Sequence, residues 1–378
     1  MPPVVHALSA RSEHEARGHL DELLPDLLPV SRGERIVLKP SLGSPLPAAA
    51  GATTALGLLD AVARHVLDRG ARPVVVESPS HSQRFNTVME LTGVRRWARE
   101  LGLTVRDAQR LDSRKVVLRL DSGKKLKIRL PKVVLEADGI VNLPKLKTHV
   151  QAGATAGAKS FMGLLPHDSR MRFHRLGLDQ PIRALARELA PRTRVTILDA
   201  MVAMEGDGPT TGRPLALDLV LASRDLAALD HVAVHDVAGL ERSEVRGLLP
   251  CGVAHEVRLH GLRALPRRDF TRAVLPTAIR FHSLFTAPPV RPVLRVLDLG
   301  RRRLPQPVLL EERCTGCLEC VPVCASGALD HPPKLIRSRC TGCGLCLEPE
   351  VCPEQALVPE SGRQKLLRLL KPENLGWD

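Results

Sequence analysis

Arg35-Ile-Val-Leu-Lys39-Pro40, then Gly51-Ala-Thr-Thr54, then Val74-Val-Val-Glu77-Ser78 set the architecture of this chain. Residues 35–38 form a short apolar run, which reads as a strand buried on both faces. Pro40 ends it, because proline has no N–H to give to a ladder. Gly51-Ala-Thr-Thr54 reads as a turn and helix N-cap, and Leu59, Val62, Val66 and Leu67 then recur on one helical face up to Gly70. Val74-Val-Val76 repeats the strand pattern. Strand, helix, strand at this spacing is a βαβ unit, and a crossover of that length joins parallel strands.

The alternation extends both ways. Residues 14–28 place Leu20, Leu23, Leu24 and Leu27 at helical spacing. Downstream, a helix is expected over 86–101 and strands at 103–105, 139–141, 194–198 and 217–221, with a helix over 225–239. Residues 115–120 and 125–130 alternate charged with apolar around Asp121-Ser-Gly123, the pattern of a hairpin with one solvated face that carries Lys125 and Lys127. The expected fold is α/β, a mostly parallel sheet with flanking helices, over residues 1–260. Residues 261–304 are rich in arginine and proline and read as a linker with short helices. Its prolines argue against an amphipathic membrane-surface helix.

At 378 residues the chain has room for two domains, and 44% hydrophobic residues suit a folded globular protein. No run of eighteen apolar residues is present, so no transmembrane segment is expected. Met1-Pro-Pro-Val-Val-His lacks the basic-then-apolar pattern of a secretory signal, which points to the cytoplasm. The formal net charge is +14, but arginine supplies most of the 55 cations and is spread along the chain. With 2% aromatic residues and no tyrosine, there is no stacking platform for bases, and nucleic acid is not an expected partner. A basic surface can steer an acidic redox protein instead.

Eight of the nine cysteines lie between Cys314 and Cys352. They read Cys314-x2-Cys317-x2-Cys320-x3-Cys324 and Cys340-x2-Cys343-x2-Cys346-x5-Cys352, two triplets each followed by a fourth cysteine. That spacing wraps cubane iron–sulfur clusters. Zinc ribbons use paired rather than tripled cysteines, and disulfides need an oxidising compartment. The segment resembles the two-cluster bacterial ferredoxins, a small α+β domain placed here over 305–360, with 361–378 as a tail. Two [4Fe–4S] clusters are therefore expected. Cys314, Cys317, Cys320 and Cys352 would hold the first, and Cys340, Cys343, Cys346 and Cys324 the second. Ala325 stands where the pattern has proline, and two extra residues precede Cys352. Cys251 reads as a buried structural thiol.

Polar groups gather where the expected strands end, at Lys39, Glu77, Asn142 and Asp199, the edge at which open parallel sheets bind ligands. The densest run is Asn142-Leu-Pro-Lys145-Leu-Lys147-Thr148-His149, followed by Thr155, Lys159 and Ser160. Lysines stand out in an arginine-rich chain: a buried ammonium changes protonation readily, and His149 would titrate near neutrality. A solvated basic loop explains the same residues equally well. Gly153-Ala-Thr-Ala-Gly-Ala158-Lys159-Ser160 misses a phosphate-binding P-loop by one residue, and polar residues 144–152 separate it from the preceding strand. A weaker expectation is that its glycine-rich backbone and Lys159 cradle an anion. A second loop, Asp199 to Gly212, holds Glu205 and Asp207. His81, His167 and His174 lie in polar stretches.

Lys39-Pro40, Gly51-Ala-Thr-Thr54, Asp138-Gly-Ile-Val-Asn142-Leu-Pro-Lys145-Leu-Lys147-Thr148-His149, Ala158-Lys159-Ser160-Phe-Met-Gly163, Asp199 and Met204-Glu205-Gly-Asp207-Gly-Pro209 run in an order that resembles the domain of unknown function 362 family. The likeness covers about residues 35–240, and members often carry a ferredoxin-like segment. Two departures are Ser41 after Lys39-Pro40 and Ser160 after Lys159, where the family usually has asparagine. The resemblance implies a site but no substrate.

The resulting expectation is an iron–sulfur electron-transfer protein, an oxidoreductase on an unidentified small-molecule or anionic ligand. Lys145, Lys147, His149, Lys159 and Glu205 are the catalytic candidates; Lys39, Asn142, Thr148, Thr155, Asp199 and Asp207 are the ligand-binding ones. A redox partner protein is implied. The alternatives are an electron-transfer or assembly partner with no chemistry of its own, and a non-redox enzyme with structural clusters. No G-x-G-x-x-G follows a strand, so neither a nicotinamide nor a flavin fingerprint is present.

Overall fold

Ile36, Val37 and Leu38 are fully buried, as a central strand requires, and they divide by period two. Ile36 and Leu38 pack into the core on one face of the sheet, Val37 into the core on the other. Each such side chain contributes about 1.5–3 kcal/mol on leaving water. The computed structural model describes residues 2–80, 83–251, 254–273, 307–317, 320–324 and short pieces between 328 and 359. It divides into two compact units, Met1–Leu284 and Phe285–Asp378.

The first unit begins β1 (Val4–Ser9), α1 (Glu13–Leu27), β2 (Arg35–Pro40), α2 (Leu56–Asp68), β3 (Arg72–Glu77), α3 (Phe85–Leu91), α4 (Val94–Glu100) and β4 (Thr104–Asp107). The hairpin β5 (Ser113–Arg119) and β6 (Lys125–Pro131) follows, then α5 (Lys132–Leu135), β7 (Gly139–Leu143), β8 (Lys145–His149), β9 (Gly153–Thr155) and α6 (Gly157–Ser160). Helices α7 (His167–Leu176) and α8 (Asp179–Leu189) lead to β10 (Thr193–Glu205), β11 (Arg213–Ser223), α9 (Leu226–His231) and β12 (Glu256–His260). One sheet runs β12-β1-β11-β10-β7-β2-β3-β4, with β8 beside β10 and β9 beside β8. The pairs from β10 to β4 are parallel, as are β8–β10 and β1–β12; β11 is antiparallel to both its neighbours. The architecture is thus α/β with a mostly parallel sheet.

Chain order reverses direction between β2 and β7. β3 and β4 are laid on one side of β2, β7 and β10 on the other. A crevice opens at such a switch point, beyond the carboxyl ends of the strands.

Local chemistry explains the element boundaries. Ser12 caps α1, its Oγ accepting from Glu15 N, with Glu13 and Glu15 in the first turn. The expected helix over 86–101 is two helices. Gly93 takes a φ of +74°, which a side chain resists, and breaks it between α3 and α4. The reading of 144–152 as a polar loop is corrected. Lys145, Lys147 and Thr148 are buried in β8, because their polar ends find partners inside the unit. Residues 261–273 are not a free linker: Phe270 is buried in the core against β1, β10, β11 and α9. β1 and β12 carried no recognised sequence signal. Residues 274–304, with most of the expected linker, lie outside the described residues, as do His81, Cys343 and the tail.

In the second unit, β13 (Pro307–Leu309) pairs antiparallel with β16 (Leu357–Pro359), and β14 (Leu329–Asp330) with β15 (Lys334–Leu335). Leu310 N donates to Ala356 O, and Ile336 N to Ala328 O. The same arrangement thus occurs twice, the strand before each cysteine triplet meeting the strand after the other. Cys320, Cys346, Leu329 and Leu357 form its core.

Candidate functional site

The crevice at the β2–β3 carboxyl edge is a cleft of about 170 Å³, lined by Lys39, Glu77, Lys147, His149, Lys159, Arg170 and His174, among others. Lys39 closes its floor. Its Nζ donates to Pro40 O (2.7 Å), Glu77 Oε2 (2.8 Å) and Ser160 Oγ (2.9 Å). The pair is almost fully enclosed, at 1% and 3% exposure, so neither charge leans on water. Glu77 also accepts from Ser78 N and Leu42 N. Gly163 passes directly over the pair: a Cβ there would stand 2.0 Å from Glu77 Oε1 and 2.7 Å from Lys39 Cε.

Above this floor the charges do not balance. Lys147 Nζ donates to Ala52 O (2.6 Å), and Lys159, half-buried, makes no hydrogen bond or ion pair among the described residues. Burial, then the neighbouring Lys147, Arg170 and Lys39, push the Lys159 ammonium down to about 7. Burial likewise brings Lys147 down to about 8, against the pull of Glu77. Arg170 is held by backbone oxygens of Pro79 and Ser78, not by an acid. Burial lowers it also. Glu77 is therefore the one carboxylate of the lining among the described residues, and it already serves Lys39.

His149 differs from its expected role. Burial and the adjacent Lys159 and Lys147 hold it well below the usual imidazole range. Its Nδ1 accepts from Gln151 N and Ala152 N, leaving the proton on Nε2. It is a neutral hydrogen-bond donor, not a group that titrates near neutrality.

The other candidates separate. Thr155 lines the cleft, and its buried Oγ1 has no hydrogen-bond partner among the described residues. Lys145 does not line it: Nζ pairs with Asp199 Oδ2 at 2.9 Å, both fully buried. Asp199 also accepts from Ala55 N at the start of α2 and from Met201 N. This pair ties β8, β10 and α2 together beneath the site. Asn142 Nδ2 donates to Gly157 O, and Thr148 Oγ1 to Gly206 O. Glu205 does not oppose the lysines. It pairs with Arg213 at 2.7 Å and accepts from Thr271 N. Asp207 is not among the lining residues. The acid that faces the lysines is Glu77, which the sequence marked only as a strand end. Arg170 was missed, since nothing in its neighbourhood distinguishes it from the many surface arginines.

The near-P-loop does not use its backbone as expected. Gly157 N and Ala158 N both donate to Asp230, so the amides at this turn are already occupied. Burial pushes the Asp230 carboxyl up to about 7 despite those bonds. The strand β9 begins at Gly153 and so lies within the segment itself. Only Lys159 of this segment offers charge to the cleft. Cys251 is half-buried, not buried, and lines a separate cleft.

In the second unit, burial raises the Cys320 thiol, and so do nearby Cys352, Cys317 and Cys314. Ala328 N donates to Cys324 Sγ and Ala356 N to Cys352 Sγ, each at 3.2 Å. An all-sulfur donor set with amide bonds to sulfur fits iron–sulfur clusters and fits hard cations poorly.

Comparison with known proteins places this chain in a family. The "Thylakoid-associated protein sll1697" of Synechocystis is 30% identical over 222 residues, 57% of this chain and 66% of that protein's length. The lactate racemase apoprotein of Thermoanaerobacterium thermosaccharolyticum superposes with a TM-score of 0.38 at 16% identity, over 60% of this chain and 55% of the other. No helix among the described residues is long and apolar enough to cross a membrane. The model of the family described as Domain of unknown function (DUF362) matches residues 36–235, more than half of the chain and the whole of the cleft lining, so the chain belongs to that family.

Proposed function

We propose that this protein is an iron–sulfur oxidoreductase whose α/β unit binds a small anionic substrate between Lys147, Lys159, Arg170 and His149. The observation that carries the reading is the crowd of poorly solvated cations around a cleft whose one acid is already paired. Buried charges are stable only when matched, and a carboxylate or phosphate supplies the missing partner. The cleft's volume suits a ligand of a few heavy atoms. His149 Nε2–H and Lys147 would orient the anion. Lys159, with its ammonium near 7, can hold or release a proton at working pH, as a general acid–base group must.

In this reading Cys314, Cys317, Cys320 and Cys352 hold one [4Fe–4S] cluster, and Cys340, Cys343, Cys346 and Cys324 the other. Bound there, the clusters supply electrons singly. Lys159 complements that chemistry by handling protons. An acidic redox partner would meet the basic chain, and the cytoplasm keeps the thiols available. The relative's printed name associates that protein with thylakoids.

The test uses anaerobically purified holoprotein. Native mass spectrometry should detect a co-purifying anion that is absent from Lys159→Ala, while the visible absorbance of the variant stays that of wild type. Equal ligand retention by Lys159→Ala would refute the cleft. Clusters that dithionite cannot reversibly reduce would refute the redox role.

A further inference from the structure

A second group of ligating side chains lies at the end of α9, apart from the lysine cleft. His231 closes that helix, and the next six residues, Val232–Val237, form a π-helical turn, with Ala238 N bonded back to Ala233 O. In an α-helix residue i+5 lies about 140° round the axis from residue i. A turn that closes from i to i+5 stacks it over the first, and such turns cluster at functional sites. Asp236 is thereby brought over His231, with Oδ1 4.0 Å from His231 Nε2. His255, just before β12, reaches the same carboxylate from another segment, Nε2 standing 3.7 Å from Oδ2.

Neither imidazole is within hydrogen-bond distance of the carboxylate. Yet the ligand atoms of all three residues lie within 4.8 Å of one another. Three atoms each about 2.0–2.2 Å from a common ion stand about 3–4 Å apart, the range of the 3.7 and 4.0 Å separations between the two imidazoles and the carboxylate. His235 Nδ1, at 3.0 Å from Asp236 Oδ1, does make a hydrogen bond and steadies the carboxylate. A cleft of about 110 Å³, lined in part by His231, His235 and Cys251, adjoins the group and has room for a water as fourth ligand.

We propose that His231, Asp236 and His255 bind a divalent transition-metal ion of the zinc class, with His235 as the group that orients Asp236. Two neutral imidazoles and one carboxylate suit zinc or its first-row neighbours and not calcium or magnesium. The ion would tie the π-helical turn to the start of the edge strand β12, which pairs with β1. The proposal is independent of the lysine cleft and of the cysteines.

Equilibrium dialysis of the full-length holoprotein against zinc chloride, followed by metal analysis, tests it. Cluster cysteines are the same in all chains, so the difference between chains reports this site. Wild type should hold one zinc equivalent more than Asp236→Asn or His255→Gln, and zinc should raise the melting temperature of wild type alone. His255 lies outside the sheet, so His255→Gln serves if Asp236→Asn fails to fold, with circular dichroism as the check. Equal zinc content in wild type and the folded variant overturns the proposal.

Discussion

Lys159 is a stronger candidate for chemistry than Lys145, although both belong to the same lysine-rich run. Lys145 has a buried counter-ion in Asp199, whereas Lys159 faces like charges. The sign of its pH response follows. Below about 7 the free amine is protonated and ready to pair with an anion. Above about 7 it must first take up a proton, so anion affinity should fall up to about tenfold per pH unit, and Lys147 adds a second decline above about 8. Calorimetric titration with small carboxylates and inorganic phosphate from pH 6 to 9 checks this, and flat affinity contradicts it. Glu77→Gln leaves the Lys39 ammonium buried without its counter-ion. Urea unfolding should show a loss of about 3–5 kcal/mol.

At the scale of elements, the cleft depends on how closely segments approach. The short turn after α6 crosses the Lys39–Glu77 pair at Gly163, where no side chain fits. Gly163→Ala should push the pair apart, costing about 1–3 kcal/mol in thermal unfolding and weakening anion binding together; a stable variant with intact binding would contradict this packing. β8 illustrates why part of the site was illegible. Lys145-Leu-Lys147 alternates polar and apolar as a solvated strand would, yet both faces are buried. Asp199, the Ala52 carbonyl and the Gly206 carbonyl receive the polar ends, and all three are remote in sequence.

For the whole molecule, the second unit supplies the check on cofactor content. Iron and acid-labile sulfide should each approach about eight per chain in anaerobic preparations. Cys352→Ala should lower iron toward about four while leaving reversible reduction of the other cluster, as read by electron paramagnetic resonance. An unchanged iron content would remove Cys352 from the ligand set. Its Sγ accepts from Ala356 N just as Cys324 Sγ accepts from Ala328 N, so the two extra residues before Cys352 do not disturb that relation.

The α/β class was readable from residues 35–78 because burial on both faces and a capped amphipathic helix are local patterns, and strand ends at Lys39 and Glu77 marked one edge of the crevice. The spacing of the cysteines is likewise local to the chain, and the iron–sulfur proposal rests on it. What only the tertiary structure decided is pairing. It gave Lys39 to Glu77, Lys145 to Asp199 and Glu205 to Arg213, and left Lys159 with cations for neighbours. Those choices rest on which groups lose water together, and desolvation is set by residues far apart in sequence.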